Sequence, residues 1–316
     1  MNLHKDVENF KIVLQTAAAE IGLNAFQVEK DYYVSLLLKE LSQIEDVEIV
    51  FKGGTSLSKC YNIIDRFSED IDITIRFPSQ KAGAGLRKRL KYGIIGCIER
   101  LGMKLLNADT IQSDRDFNKY NVSYNKLFDS EEHMVPHIII ETLVVFQPFP
   151  CEEREVSNYV TKYLESEEEF TVIQEYDLKP FKMEIQTIDR TFIDKLFAIC
   201  DYHLKGDYDR FSRHIYDVHK IWHSDFLKKD ELNSLIDQVI EARQTLGKNT
   251  LSCQEKAKPN DILQEIIDTA VFKDDYNAVT TNFLFNVVEY EVAINTLQEI
   301  VKMELLPNEI KAYNMS

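Results

Sequence analysis

The chain has 316 residues with 37 basic and 53 acidic side chains, which gives a formal net charge of −16. Hydrophobic residues make up 44% and charged residues 28%, the usual balance of a globular protein, so an intrinsically disordered chain is excluded. The acidic excess excludes a protein that coats nucleic acid nonspecifically, because neutralising phosphates requires a surplus of lysine and arginine. A local basic site is compatible with this charge.

The cysteines indicate the redox environment of the chain. All 5 are scattered, and none forms a C-x-x-C pair, which predicts reduced thiols in a cytoplasmic protein. The first residues lack a basic segment followed by an apolar one, so we expect no secretory signal. No run approaches the roughly 20 apolar residues that a membrane-spanning helix needs, and we expect no membrane association.

In chain order, the first part of the sequence alternates helical and strand patterns. Apolar residues at helical spacing predict two helices over residues 7–41, the second capped by Asn24, and one helix over 86–101. A further helix is expected to begin at Thr55 or Ser56. Strand patterns occur over residues 46–51, 71–77, 104–112, 117–126, 137–146 and 181–186. The acid-rich segment 151–169 is predicted to form a solvated helix and loop.

From residue 189 onward the pattern is almost entirely helical. Helices are predicted over residues 191–203, 209–223, 228–246, 259–271, 278–284 and 287–305. We therefore expect an α+β fold in two domains. Residues 1–185 would form a mixed sheet with flanking helices, and residues 186–316 a helical bundle.

The segment over residues 52–75, KGGTSLSKCYNIIDRFSEDIDITI, carries the most informative pattern. A strand ends at Gly53 and Gly54, and Thr55 or Ser56 begins a helix. Glycines let a backbone come close to a phosphate, and the N–H groups at a helix start favour an anion. This order predicts a phosphate site, although a Gly-Gly-Thr sequence alone is most often a turn.

Carboxylates follow on the next strands. Asp70 and Asp72 stand two residues apart on a strand, so their side chains project from the same face. Two carboxylates beside a phosphate site can hold Mg²⁺. Glu141 lies inside the apolar strand HIIIETLVVF, where a buried charge is costly unless it is paired or functional. It would join the aspartates as a ligand of a second metal or accept a proton from an attacking hydroxyl.

A basic stripe follows the strand that bears the aspartates. Over residues 76–91 there is no acid, and the basic residues are Arg76, Lys81, Arg87, Lys88, Arg89 and Lys91. Because the stripe begins at the end of that strand, we expect it near the site, where it would contact a polynucleotide backbone or a triphosphate. The alternative is the solvated basic face of an amphipathic helix.

The ordered motifs GGTSL and RFSEDIDI resemble the signature of the nucleotidyltransferase superfamily that includes DNA polymerase beta. The resemblance is closer to the AbiEii toxins of type IV toxin–antitoxin and abortive-infection systems. The spacer from Gly54 to Asp70 is slightly longer than the usual superfamily gap, whereas the R-x-S-x-D-x-D form suits the AbiEii group. The resemblance covers about residues 45–225 and implies a nucleotidyltransferase-like sheet domain.

A second stretch, RTFIDKLFAICDYHLKGDYDRFSRHIYDVHKIW, resembles the helical motif of the same family. Lys195 matches its lysine and Asp217 its Y-D aspartate, whereas the usual R-D pair appears as Arg213-His214. The match implies that Lys195 neutralises a triphosphate and that Asp217 orients this lysine or the base of the nucleotide. The residues alone leave open a solvated Lys195 and a helical Asp217–Arg213 pair.

The resemblance implies a Mg²⁺-dependent nucleotidyltransferase toxin with one or two metal ions, an NTP substrate and a cognate antitoxin. The acceptor would be RNA, with the tRNA 3′ end as the first candidate. The expected catalytic residues are Asp70, Asp72, Glu141, Lys195 and Asp217, and the first three of them would also bind metal. The expected nucleotide-binding residues are Lys52, Gly53, Gly54, Thr55, Ser56 and Lys195.

Two alternatives remain open from the sequence. The same carboxylates could serve transfer to a small-molecule hydroxyl, as in aminoglycoside nucleotidyltransferases, although the basic stripe favours RNA. The chain could also be a catalytically silent interaction protein that binds a partner through its acidic surface. The clustered carboxylates argue against that alternative, because like charges held close together are costly.

Overall fold

The computed structural model describes residues 1–78, 82–130, 134–246 and 249–312. The chain divides into two compact units. The first unit comprises Met1–Asn62 and Phe67–Gln186, and the second comprises Ile63–Arg66 and Thr187–Ser316. Among the described residues, no helix is both long and apolar enough to span a membrane.

The first unit contains helices as well as its sheet, and three of these helices begin with a side-chain N-cap, at Asp6, Asn24 and Asn158. The helices are α1 (Val7–Ile21), α2 (Ala25–Ser42), α3 (Gly53–Ser56), α4 (Ala84–Arg100), α5 (Tyr159–Ser166) and α6 (Phe170–Glu175). A π-helical turn, Leu57–Tyr61, continues α3. At α2 the side chains of Asn24 and Gln27 each accept a hydrogen bond from the other residue's backbone N–H. This capping box confirms Asn24 as the predicted start of the helix.

A mixed seven-stranded sheet forms the centre of the first unit, with strand order β3-β4-β5-β2-β1-β7-β6. The strands are β1 (Ile49–Lys52), β2 (Asp70–Ile75), β3 (Lys104–Leu105), β4 (Phe117–Ser123), β5 (Ile138–Leu143), β6 (Cys151–Val156) and β7 (Phe181–Gln186). The pairs β2–β5 and β1–β7 are parallel, and the other pairs are antiparallel. Each of the predicted strands therefore has a counterpart in the sheet.

The two faces of β4 and β5 differ in exposure. On β4, Tyr120 and Val122 are buried, whereas Phe117 and Lys119 are exposed. Successive residues of a strand point to opposite faces, so the buried set faces the core and the exposed set faces away from it. We call this exposed side of β2, β4 and β5 the open face.

The second unit is helical. Its helices are α7 (Ile188–Lys205), α8 (Arg213–Trp222), α9 (Leu232–Gln244), α10 (Pro259–Thr269), α11 (Lys273–Ala278) and α12 (Tyr290–Lys302). Phe192 of α7 stacks on Trp222 of α8 with 5.7 Å between ring centroids, and the buried side chains of α12 complete this core. The predicted α+β fold class, with a sheet followed by helices, is confirmed.

The prediction of a helix and loop over 151–169 is wrong at its start, because Cys151–Val156 forms strand β6. Strand β6 lies at one edge of the sheet and pairs only with β7 there. An edge strand tolerates charged side chains, since they reach water and discourage further pairing. The acids at 153 and 155 are exposed in this way, and composition therefore concealed the strand.

Two further predicted elements differ in extent. The strand expected over 104–112 is limited to Lys104–Leu105, because Ala108–Thr110 forms a helical turn that the Asn107 side chain ties to the backbone of β4. The helix expected over 278–284 is a short turn, Thr280–Phe283, that follows α11. Threonine has low helix propensity, which limits this segment to one turn.

Helix α2 carries three consecutive buried charged residues, Glu29, Lys30 and Asp31. The Asp31 carboxylate lies 2.6 Å from the Lys59 amine and also accepts a hydrogen bond from the backbone N–H of Tyr159, at 2.8 Å. The carboxylate of Glu29 accepts two backbone hydrogen bonds, from residues 127 and 128. A single helix thus anchors three distant segments of the first unit.

We expect Lys59→Met to destabilise the protein by about 3–5 kcal/mol, because it leaves the Asp31 carboxylate buried without its cation. Lys182→Met is the matched control, since the Lys182–Glu153 pair is 65% and 58% exposed and such pairs contribute less than about 1 kcal/mol. Urea unfolding followed by circular dichroism measures both changes. Equal losses in the two variants would contradict a structural role for the buried pair.

Candidate functional site

A row of four charged residues crosses the open face of the sheet. Lys52 on β1 pairs in register with Asp72 on β2, Asp72 with Glu141 on β5, and Glu141 with Lys119 on β4. We call these residues the charged row. With neighbouring strands about 4.8 Å apart, the row extends over about 14 Å. It brings two predicted carboxylates side by side between two lysines.

The remaining predicted carboxylate lies next to the charged row. Asp70 is two residues before Asp72 on β2, so both side chains project from the same face, and both are partly exposed. Glu141 was expected to be buried, and this expectation is wrong. Its side chain is 34% exposed and lies 3.4 Å from the Lys119 amine. The reason is that the face of β5 that bears Glu141 is only partly covered: Ile139 on it is buried, whereas Glu141 and Leu143 are partly exposed.

Gly53 is required by the position of Asp72. Its φ is +78°, and a Cβ atom built on it would lie 2.8 Å from Cγ of Asp72, with the carboxylate oxygen closer still. Any side chain at this position would displace the carboxylate and also strain the backbone. Gly53, which was predicted to let the backbone come close to a phosphate, therefore also leaves room for the Asp72 carboxylate.

The hydroxyl groups predicted for the phosphate cradle have partners within the protein. Thr55 donates from Oγ1 to the backbone carbonyl of Asp70 at 2.5 Å, and Ser56 donates from Oγ to the carbonyl of Gly53 at 2.8 Å. Both residues are buried. These bonds tie the start of α3 to the start of β2. The side chain of Lys52, the residue before α3, makes no capping hydrogen bond, so the first backbone N–H groups of this helix are not capped by it.

Lys30 supports this end of β2 from inside the first unit. Its buried amine pairs with Glu69, the residue before Asp70, and donates to the carbonyl of Val135 at 2.6 Å. Burial lowers the pKa of Lys30, and the adjacent Glu69 and Asp70 carboxylates oppose this. His137 lies near the same charges. Partial burial lowers its pKa, and Lys30 and Lys119 lower it further, whereas Asp70 opposes this.

The carboxylates fit a magnesium ion that binds together with a substrate. Among the described residues, no group of three or more His, Cys, Asp or Glu side chains lies close enough together to hold a metal ion. Magnesium is commonly held by one or two carboxylates together with substrate phosphates and water. Asp70 and Asp72, on one face beside Gly53, supply that kind of donor set.

The second unit contains a separate buried ion cluster. Asp217 is fully buried and accepts two hydrogen bonds from Arg66, at 2.7 and 2.8 Å, and one from Lys195, at 2.7 Å. Burial alone would raise the pKa of Asp217, but Arg66 and Lys195 outweigh this and hold it well below its usual range. The lysine predicted to meet a triphosphate is thus buried, with its charge compensated by Asp217.

His214 completes this cluster. Its Nδ1 lies 3.3 Å from the Lys195 amine, which is a donor, so Nδ1 is the acceptor. Burial, then Lys195 and Arg213, lowers the pKa of His214 well below 6.5. A neutral histidine therefore replaces the usual acidic residue of the R-D pair. It hydrogen-bonds the lysine without adding a second negative charge.

The basic stripe is divided by its contacts. Arg87 pairs with Asp116 at 2.8 Å, and Lys91 donates to the carbonyl of Ile111 at 2.8 Å. Arg76 pairs with Glu184. Lys88 and Arg89 are exposed on α4.

The start of the stripe lies apart from the aspartates along β2. The aspartates begin strand β2, whereas Arg76 follows its end, about 13 Å from Asp72 at the usual strand rise. Arg76 is therefore not adjacent to the carboxylates on β2, and contact of the stripe with a polynucleotide or a triphosphate stays a prediction. Lys81 lies outside the described residues.

The comparison with protein families is decisive. A family model described as the AbiEii nucleotidyl transferase toxin of type IV toxin–antitoxin systems matches residues 36–301. The chain belongs to the AbiEii family. It is therefore a nucleotidyltransferase toxin, and membership implies an NTP substrate and a cognate antitoxin. The resemblance seen in GGTSL and RFSEDIDI is confirmed.

Comparison with solved structures agrees with the AbiEii assignment at the level of the fold. The structure is similar to MenT4, a nucleotidyltransferase toxin from Mycobacterium tuberculosis H37Rv, with a TM-score of 0.54 and 14% identity. The similarity covers 93% of this chain and 90% of that chain. No curated protein sequence matches the chain significantly.

Three contacts of this AbiEii-family protein were not anticipated from sequence. They are Lys30 with Glu69, Lys119 with Glu141, and Arg66 with Asp217. One signal was available, since Glu29-Lys30-Asp31 places three charges inside an otherwise apolar helix. Such residues are almost never buried without partners. The other two contacts depend on strand register and on helix packing.

We expect Gly53→Ala to destabilise the protein by about 1–3 kcal/mol more than Gly22→Ala, because it adds overpacking to backbone strain. Gly22 is the matched control: its φ is +76°, and a Cβ there would have no heavy atom within 4 Å. Urea unfolding of both variants measures the difference. Equal destabilisation would show that Asp72 does not depend on the space at Gly53.

The lowered pKa of His214 predicts a pH effect with a defined sign. Protons bind the unfolded state preferentially below pH 6.5, so the contribution of His214 to stability is present above that pH and is lost as the pH falls. The loss approaches about 1.4 kcal/mol for each pH unit below 6.5.

We expect His214→Gln to reduce the dependence of unfolding free energy on pH between 6.5 and 5, with urea unfolding as the measurement. His223→Gln, at an exposed histidine just beyond the same helix, is the control. An unchanged slope in His214→Gln would exclude the neutral buried state.

Proposed function

We propose that this AbiEii-family toxin transfers a nucleoside monophosphate from an NTP to a hydroxyl of RNA in a Mg²⁺-dependent reaction. The observation that carries the proposal is the charged row beside Gly53, in which Asp72 and Glu141 are neighbours on adjacent strands. Asp70 adds a second carboxylate on the same face of β2. NTP and RNA as substrates also favour action in the cytoplasm.

The reaction assigns different tasks to Glu141 and to the two aspartates. The acceptor hydroxyl oxygen attacks the α-phosphorus of the NTP, and a new P–O bond forms. The bond from the α-phosphorus to the oxygen bridging it to the β-phosphorus breaks, and pyrophosphate leaves. The Glu141 carboxylate accepts the hydroxyl proton, which suits its partial exposure and its place next to Asp72.

Asp70 and Asp72 are the residues that would hold Mg²⁺ together with phosphate oxygens of the NTP. When bound there, a magnesium ion would polarise the phosphate and stabilise charge in the transition state. Gly53 keeps Asp72 in place by leaving its carboxylate room, and Lys30 anchors the residue before Asp70 through Glu69. These supports position both aspartates before substrate arrives.

The NTP phosphates would lie at the start of α3, where Lys52 stands in the charged row and backbone N–H groups of the Gly-Gly turn are presented. We assign Thr55 and Ser56 the task of fixing this turn, since their hydroxyls already hold backbone carbonyls. Contact between Lys195 and the triphosphate stays a prediction, as does the orienting role of Asp217.

Transfer is tested with α-labelled NTPs, MgCl₂ and total RNA from the host, and labelled products are separated on a denaturing gel. We expect label in RNA, with tRNA examined first, and no label when the metal is chelated. A small-molecule acceptor such as an aminoglycoside is tested in parallel. Label only in the small molecule would replace the RNA proposal. Absence of both transfer and Mg²⁺-dependent NTP binding by calorimetry would favour a silent interaction protein.

We expect Asp72→Asn to lower the rate of transfer by at least about hundredfold, because it removes a charge that holds the metal. Glu153→Gln is the control, since it changes an exposed acid on edge strand β6 in the same way. Initial rates of label transfer measure both, and circular dichroism checks folding. Near wild-type transfer by folded Asp72→Asn protein would rule out the metal role of this residue.

A further inference from the structure

The part of the open face beyond Glu141 has no task in the reaction described above. Across the sheet, the order from the phosphate turn is β1, β2, β5 and then β4. The proposed nucleotide site therefore lies on β1 and β2, on one side of Glu141. Strand β4 lies on the other side of Glu141, the proposed proton acceptor. A hydroxyl that gives its proton to Glu141 while attacking a phosphorus held near Asp72 approaches from this side.

The side chains on this part of the face are basic, polar and aromatic. Positions on the open face of β3 and β4 are Lys104, Phe117, Lys119, Asn121 and Ser123, which include two lysines and no acid. Phe117 is 47% exposed, and Lys119 is 46% exposed. A large exposed ring beside amines is the combination that binds single-stranded nucleic acid, because bases stack on the ring and phosphates meet the amines.

The basic stripe lies close to the same end of β4. Arg87 of α4 pairs with Asp116, the residue before Phe117, at 2.8 Å. Phe117 is two residues from Lys119 along the strand, which is about 7 Å. Arg87 is neutralised by Asp116, and Arg89 borders a separate pocket with Glu48 and Arg76. Lys119 is therefore the cation that this part of the face offers to a phosphate.

We propose that Phe117 and Lys119 form the binding strip for the single-stranded 3′ end of the RNA acceptor. A base near the terminus stacks on the Phe117 ring, a phosphate meets the Lys119 amine, and the terminal hydroxyl lies at Glu141. This inference rests on the proposed function, because it places the acceptor of that reaction. It also gives Lys119 a second task besides pairing with Glu141.

Fluorescence anisotropy tests the strip without requiring catalysis. The probe is a fluorescent 12-nucleotide single-stranded RNA with a free 3′ hydroxyl, compared with a blunt duplex of the same length. We expect Phe117→Leu to weaken binding of the single strand by about tenfold and Phe117→Trp to restore it, since stacking requires an aromatic ring. Lys119→Gln should weaken binding and reduce the slope of log affinity against log salt by about 0.7.

Phe170→Leu is the matched control, because Phe170 is 61% exposed on α6, away from strands β4 and β5 in sequence and in pairing. It should bind RNA like the wild type. Equal binding by Phe117→Leu and wild type, or a wild-type preference for the duplex, would overturn the proposal.

The transfer assay separates this result from the proposed function. In that assay Phe117→Leu should raise the KM for RNA about tenfold and leave the KM for NTP unchanged. If the wild type transferred no label to RNA but its RNA binding still depended on Phe117, the proposed reaction would be refuted and the binding strip would stand. Normal transfer with unchanged RNA KM in Phe117→Leu would refute the strip and keep the reaction.

Discussion

The buried charges of α2 are the constraint on which the first unit depends. Glu29, Lys30 and Asp31 are removed from water, and each would cost several kcal/mol without partners. Each finds partners in a different segment: the turn at 127–128, the residue before Asp70, and the π-helical turn that carries Lys59. Because these partners are far apart in sequence, satisfying one helix fixes the positions of several segments at once.

The register of the sheet determines which side chains of neighbouring strands lie side by side in the candidate site. Side chains alternate between faces, so a slip of one residue on β5 would exchange Glu141 for a buried neighbour and leave Asp72 beside an apolar residue. The close approach of Gly53 and Asp72 adds a steric limit from the neighbouring strand. The carboxylates and the flanking lysines thus lie side by side because of the strand register, although they come from four separate strands.

The second unit uses buried charge in another way. Asp217 receives Arg66 and Lys195 at once, and His214 accepts a hydrogen bond from the same lysine. Two cations around one carboxylate would leave an excess positive charge in the interior. Burial disfavours that charge and therefore lowers the pKa values of Lys195 and His214. The arrangement explains why a histidine serves where the family pattern has an acidic residue: it hydrogen-bonds the lysine, whereas a second carboxylate would also be charged.

The sequence by itself determined the α+β class, the helix start at Asn24, the glycine pair that ends β1 and the placing of Asp70 and Asp72 on one strand face, because these follow from local periodicity and backbone preferences. It missed β6, whose glutamates are tolerated only at a sheet edge, and it misjudged Glu141, since an apolar run does not reveal which face is covered. Only the tertiary structure decided that Lys119 pairs with Glu141, that Lys195 is buried against Asp217, and that Arg66 joins them. Those contacts depend on strand order and helix packing between residues far apart in the chain, which no local pattern encodes.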